Sequence, residues 1–233
     1  MPWLGMDEIG VPSSVDDNSV SGSGGEGPSV EPAPFHDTLR FLRLMRPDGR
    51  CVLSAICPNG GGIETRTFEL DPSDGVRTWL GKWNGKCNLY WTPNTVKAEA
   101  NPNKKPERSD IDEVNMLFVD VDPRPGMDFE AERERILTSL TQYVPPPSAI
   151  VDSGNGYQGF WLLNEPFYVG GNLDAAAEIE RYNIFIRDRL GGDNCHTIEH
   201  LMRLPGTLNL PNEKKRKAGR VERAASAVRC PQE

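Results

Sequence analysis

Asp120 and Asp122 close an apolar run, MLFVDVD at 116–122, that ends in the turn sequence PRPG. Side chains alternate faces along a strand, so the two carboxylates share one side while Val119 and Val121 share the other. Carboxylates so placed repel unless a cation lies between them, and hard oxygen ligands select Mg²⁺ or Mn²⁺. Read blandly, they are two solvated acids at a strand end. A second candidate is Ser153-Gly154-Asn155-Gly156-Tyr157-Gln158, between two strand-like runs. Its glycines permit positive φ and close backbone approach, so the turn can offer N–H groups and a hydroxyl to a phosphate. Asn-Gly is equally the dipeptide of an ordinary hairpin turn. Third comes Asp193, then Arg203-Leu204-Pro205-Gly206-Thr207-Leu208-Asn209 ahead of Lys214, Lys215, Arg216 and Lys217. An acid, an arginine and a glycine turn before a basic cluster suit a metal ligand beside an anion site. A helix-stop aspartate with a surface loop is the plain alternative. Cys195, His196 and His200 have the spacing of zinc ligands, but no second ligand pair accompanies them.

These residues need elements to hold them. Leu39, Leu42 and Met45 have helical spacing in HDTLRFLRLM, and CVLSAIC and ETRTFEL flank NGGG as a hairpin. A short helix is expected over 74–83, a single strand over CNLYWTPN, and an exposed loop over 97–113. The run at 116–122 reads as a strand and 128–142 as a helix with Phe129, Ile136, Leu137 and Leu140 near one face. PPP at 145–147 breaks that helix and leads into the strand SAIVD, then SGNG turns into GYQGFWLL. Residues 173–190 read as an amphipathic helix with Ile179, Tyr182, Phe185, Ile186 and Leu190 as its apolar positions, stopped by GGD. Irregular alternation of strands and helices argues a mixed α/β (α+β) fold with a partly antiparallel sheet.

The chain has 233 residues and a formal charge of −8, which misleads until it is divided. Residues 1–33 hold Asp7, Glu8, Asp16, Asp17, Glu26 and Glu31 with no Lys or Arg, and are rich in Ser, Gly and Pro. Such a segment cannot bury enough apolar surface to offset its ordering entropy, so it is expected to be a disordered acidic tail. The remaining body is nearly neutral, with Lys and Arg gathered at 201–223, and can bind a polyanion at that end. No apolar run approaches a membrane span, and no basic-then-apolar leader opens the chain. Five cysteines without C-x-x-C spacing fit free thiols of a reducing compartment better than a disulfide framework.

Together these segments resemble the archaeo-eukaryotic primase (primase-polymerase) superfamily, and within it the plasmid and phage branches that include RepB-type primases. The resemblance covers residues 85–220: a CNLYWTPN strand, the apolar-DxD run, SGNGYQ with its following aromatics, and GGD…LMRLPGTLN before lysines. It implies an RNA-recognition-motif-like catalytic module joined to an N-terminal α/β unit, with the catalytic domain over 34–223 and 224–233 a tail or the start of a linker. Asp120, Asp122 and Asp193 fall on the metal-binding catalytic acids, with Glu199 competing for the third place. Ser153, Gln158, Arg203 and Asn209 fall on the nucleotide-binding positions. The implied activity is DNA-dependent primer synthesis by two-metal nucleotidyl transfer, with two Mg²⁺ or Mn²⁺ ions and nucleoside triphosphates as substrate. Lys214, Lys215, Arg216 and Lys217 would meet a single-stranded DNA template, and Tyr90 or Trp91 would pack near the nucleotide. A replicative helicase domain or protein is a compatible partner, and a plasmid- or phage-associated cytoplasmic protein the implied setting. Gln158 departs from the pattern, since many members carry His there; Gln can donate a hydrogen bond but brings no charge. A non-catalytic nucleic-acid-binding module, or a metal-dependent nuclease or nucleotide hydrolase, stays open on the same residues.

Overall fold

The helical spacing near the start of the body is realised as α1 (His36–Met45), which buries Thr38, Leu39, Phe41, Leu42 and Met45. The computed structural model describes residues 34–217 and 219–231; the segment 1–33, expected to be disordered, lies outside the described residues. The hairpin forms as β1 (Arg50–Ile56) and β2 (Ile63–Glu69), and α2 (Asp74–Trp83) leads to β3 (Asn88–Trp91). CNLYWTPN is not one strand. Pro93 cannot donate to a ladder, and the chain leaves β3 there to enter a different sheet as β4 (Thr95–Val96). The expected loop at 97–113 also ends early, in a single 3₁₀ turn at Arg108–Asp110. From Ile111 onward the chain is already β5 (Ile111–Val121), with Ile111 and Val114 buried.

Helix α3 (Phe129–Thr141) starts where the Asp128 carboxylate accepts the Ala131 N–H at 2.8 Å, a cap of the expected kind. β6 (Ala149–Asp152) and β7 (Tyr157–Tyr168) follow, then α4 (Leu173–Leu190), which ends at Gly191 with φ 68°. The expected apolar face of α4 is rotated: Tyr182 and Phe185 are 57% and 54% exposed. Two polar residues take the buried face in their place. Asn183 Oδ1 accepts the Phe118 N–H at 3.0 Å, and Glu180 accepts the Ile198 N–H at 3.1 Å while pairing with Arg108. The chain then makes β8 (Met202–Arg203), β9 (Leu208–Asn209), α5 (Glu213–Lys217), β10 (Arg223–Ala224) and β11 (Ser226–Arg229). Much of the stretch expected as a tail from 224 onward is therefore β-structure.

Two antiparallel sheets result, giving a mixed α/β fold. One runs β2-β1-β3-β8 and the other β11-β6-β7-β5-β4, with β9 and β10 a separate pair. The largest core lies between the sheets, where Phe41 of α1 meets Trp91 at 5.2 Å and Phe160 at 6.4 Å between ring centroids. Met116 and Phe118 of β5 enter the same core, while Val119 and Val121 turn to the other face under Ile136, Leu140, Ile186 and Leu190 of α3 and α4. Burying each such large side chain contributes about 1.5–3 kcal/mol, so the register that keeps these faces apart is strongly enforced.

The expectation of five free thiols is corrected at one pair: Cys57 and Cys87 are joined as a disulfide. Ile56 faces Asn88 across β1 and β3, so the two cysteines come next in line, with Cα atoms 4.2 Å apart. Cys51, Cys195 and Cys230 remain free. Among the described residues, no helix is long and apolar enough to cross a membrane.

Candidate active site

Asp120 and Asp122 continue the face of β5 that carries Met116 and Phe118, so they stand where the apolar core between the sheets runs out. On β7, Gln158 lies directly across from Asp120 and shares the face of Phe160. On that side the chain opens a cleft of about 250 Å³. Asp120, Asp122 and Asp193 line it, and so do Ser153, Gln158, Arg203, Asn209 and Lys215. Asp193 arrives from the segment after α4. Its N–H donates to the Asp120 carbonyl at 2.7 Å, so the third acid docks on the edge of β5 that β7 leaves open. Gly192 makes this approach possible: a Cβ there would stand 2.5 Å from Val119 Cγ2 and 2.9 Å from the Asp120 carbonyl oxygen. Glu199 is elsewhere, on the wall of a hollow lined by Lys104, Lys105 and Arg108.

The electrostatics follow from burial. Asp120 is half-buried; its Oδ1 is shut off from solvent and has no hydrogen-bond partner, while Oδ2 accepts from Gln158 Nε2 at 3.2 Å. Desolvation first, then the Asp122 charge, push its carboxyl up to about 7. Asp193 is raised too, by burial and by Asp122, against the pull of Lys215 and Arg220. Cys195, half-buried near all three acids, has its thiol pushed up to about 12 by desolvation and by their charge. Three carboxylates thus converge on one cleft. Among the described residues no three His, Cys, Asp or Glu side chains stand in ready-made coordination geometry. The donor set nonetheless suits a hard divalent cation, because a buried carboxylate oxygen without a partner is a ligand position still to be used.

Opposite the acids lies a cation. Arg203 is only 6% exposed and is bound by neutral groups: Nη1 donates to Asn88 Oδ1 at 3.0 Å, and Nη2 donates to Tyr90 Oη at 3.0 Å and Asn209 Oδ1 at 3.2 Å. Its guanidinium also stands over the Tyr90 ring at 4.3 Å. Asn209 Nδ2 in turn donates to the Ser153 carbonyl at 2.7 Å, tying β9 to the Ser-Gly-Asn-Gly turn. The Ser153 hydroxyl is folded back on that turn, 3.1 Å from both the Gly156 N–H and carbonyl. Gln158, 3% exposed, accepts the Arg203 N–H at 3.0 Å through Oε1 while its Nε2 serves Asp120. Both ends of its amide are therefore occupied by protein.

The basic cluster divides. Lys215 reaches the cleft, Arg216 pairs with Glu222 at 2.8 Å, and Lys214 and Lys217 are exposed. Trp91 is core, whereas Tyr90 lines the cleft. Asn88 and Arg220 were missed in the sequence, and Asn155 entered it only within the Ser153–Gln158 turn, with no role of its own. Arg220 lies 3.7 Å from Asp122, and its place in the 201–223 charge excess was its only signal. His200 lines the cleft with a depressed pKa from burial, and does not gather with Cys195 and His196 as metal ligands.

In fold, this chain is structurally similar to archaeo-eukaryotic primase-polymerase domains. The AEP domain of the cyanophage S-2L primase-polymerase superposes with a TM-score of 0.56 at 17% identity, over 84% of this chain and 90% of that one. The catalytic domain of primase RepB′, crystallised with initiator DNA, gives 0.53 at 16% identity over 83% and 85%. A second structure of primase RepB′ gives 0.50 at 15% identity, with 56% of that chain covered. No family model matches the chain, and no curated protein matches it.

Proposed function

We propose that the body from residue 34 through β11 is the catalytic domain of a DNA-dependent primase-polymerase that joins nucleotides on a single-stranded template, with 1–33 a separate acidic tail. One observation carries this reading: a half-buried carboxylate with one enclosed, unpartnered oxygen and two further acids share a single cleft with a buried arginine. That is a place for divalent cations beside a place for phosphate. Asp120, Asp122 and Asp193 would hold Mg²⁺ or Mn²⁺, two ions that when bound would activate the attacking hydroxyl and neutralise the triphosphate. Arg203 supplies a fixed cation for phosphate oxygens, oriented by Asn88, Tyr90 and Asn209 so that it loses little freedom when it binds. Lys215 adds a mobile charge at the mouth. Gln158 acts as a positioning residue, holding Asp120 and the β8 backbone at one separation. The order β5-α3-β6-β7-α4, with β7 between β6 and β5, supports an RNA-recognition-motif-like catalytic module.

The folded-back Ser153 hydroxyl and the Gln158 amide held at both ends by protein favour one second reading, a nucleic-acid-binding module without chemistry. Synthesis of a labelled oligonucleotide on single-stranded DNA, with Mg²⁺, Mn²⁺ or EDTA, separates the two. Metal-dependent extension that Asp122→Asn abolishes is expected. Binding without synthesis under every metal condition would sink the enzymatic reading, and template degradation would replace it with a nuclease.

A further inference from the structure

A second hollow of about 260 Å³ adjoins the cleft of acids, with Asn155 in the wall of both. Phe129, Arg220, Val221 and Arg223 form its other side-chain walls, and no carboxylate is among its lining residues. Arg220 is incompletely satisfied there. Its Nη1 is buried without a hydrogen-bond partner, and its Nη2 stands 3.7 Å from Asp122 Oδ2, an ion-pair distance but too long for a hydrogen bond.

Arg223 is held in place by backbone and by ring. It pairs with Asn209 across β9 and β10, its Cβ would lie 3.1 Å from a Cβ at Gly154, and its guanidinium stands over Phe129 at 4.7 Å. Its side-chain hydrogen bond among the described residues is a 3.3 Å contact to Glu130, which is 69% exposed. A surface carboxylate of that kind is readily exchanged for a better anion.

Two arginines with unused donors, fixed against a turn that also walls the acids, fit a tetrahedral oxyanion better than they fit each other. We propose that Arg220 and Arg223 form a second phosphate-binding site, which takes backbone phosphates of the nucleic-acid strand lying next to the acids. A guanidinium offers paired N–H donors matched to two phosphate oxygens, which supplies the partner Arg220 Nη1 lacks. The strand is favoured over a nucleotide's triphosphate because the hollow continues the segment that presents the exposed helix α5, whereas Arg203 already serves the inner side of the cleft. This inference rests on the nucleotidyl-transfer reading of the neighbouring acids.

The test uses the full chain and does not require catalysis. Binding of a labelled single-stranded oligothymidylate is measured in EDTA across a salt series for the parent, Arg220→Gln, Arg223→Gln and the double variant. The double variant should bind about tenfold more weakly, with its log–log salt slope flatter by about 0.7 for each phosphate no longer neutralised. Thermal unfolding checks that each variant is folded. Arg220→Lys, which keeps the charge without the paired donors, should retain the slope but lose affinity, and it stands in should the double variant not fold. An unchanged slope with weakened binding of a nucleoside triphosphate would overturn the strand and give the phosphate to the nucleotide. Unchanged binding of both probes in folded variants would overturn the site altogether. A parent that binds through these arginines yet synthesises nothing would refute the enzymatic reading and leave this site standing.

Discussion

Replacing Asp120 with Asn tests whether the acid is held as a desolvated, cation-seeking group. The unfolded chain releases the Asp120 proton near 3.8, whereas the folded protein keeps it up to about 7. Below 4 both states are protonated and the residue costs nothing. As pH rises from there the unfolded chain gains by ionising while the folded one does not, so stability falls, and the loss is complete above 7. Three units at about 1.36 kcal/mol each give about 4 kcal/mol. The expected figure is therefore about 2–4 kcal/mol. Asn copies the protonated acid in shape and cannot ionise. In EDTA, urea unfolding should therefore show Asp120→Asn and the parent nearly equal at pH 4, and the variant more stable by that amount at pH 8. The corresponding rise in melting temperature is on the order of 5–15 °C for a domain of this size. Mn²⁺ at a hundred times its dissociation constant should add about 2.7 kcal/mol to the parent at pH 8 and much less to the variant. A stability difference that is the same at both pH values would refute the argument, as would a variant less stable than the parent at pH 8.

Three further outcomes follow from the same geometry. Asp193→Asn should lower the rate of synthesis by at least about a hundredfold and Glu199→Gln by less than about threefold, because only the former lines the cleft; single-turnover rates decide, and a reversed order would move the third acid. Gln158→Ala strands the Arg203 N–H and an Asp120 oxygen, so it should cost about 2–4 kcal/mol in urea unfolding and lower kcat more than it raises KM; a pure KM effect would return Gln158 to direct nucleotide binding. Gly192→Ala drives a Cβ against Val119 and the Asp120 carbonyl, so it should destabilise by about 1–3 kcal/mol and weaken Mn²⁺ binding measured by calorimetry, and wild-type binding would show that the loop can yield.

How much of this was legible beforehand depends on whether the information is local. The alternation in MLFVDVD placed both aspartates on one face, and the structure keeps them there because Val119 and Val121 are needed under the helices. Helices α1 to α4 were readable from apolar spacing, the break at PPP and the stop at GGD. Pairing was not readable. No feature of CNLYWTPN says that the chain changes sheets at Pro93, and no feature of the last ten residues says that β6 is waiting for β11. The buried face of α4 was misjudged because Glu180 and Asn183 look like surface residues until the backbone groups they satisfy are known. Cys57 and Cys87, 30 residues apart, become neighbours only through the β1–β3 register. The same holds for Gln158, whose two partners lie on β5 and β8, 38 and 45 residues away.

The open edge of β5 explains why three acids so distant in sequence share one cleft. β4 covers that edge only at its start, pairing at Glu113 and Ile111, so the later backbone groups of β5 must find partners elsewhere or remain orphaned. Asn183 of α4 takes the Phe118 N–H, and the Asp193 N–H takes the Asp120 carbonyl two residues further on. The segment after α4 is thus drawn to the strand end by backbone hydrogen bonding, and its aspartate comes with it. Asn183 also donates to the His196 carbonyl at 3.0 Å, which fixes the far side of the same loop. Removing the Asn183 amide should consequently disturb the acids without touching them: Asn183→Leu should cost about 2–4 kcal/mol in stability and weaken Mn²⁺ binding, while Asn183→Asp, which keeps the acceptor for Phe118, should recover part of both. Calorimetric titration of Mn²⁺ into the folded variants decides the matter. Equal affinities in the parent and Asn183→Leu would mean that the Asp193 loop holds its place without the edge.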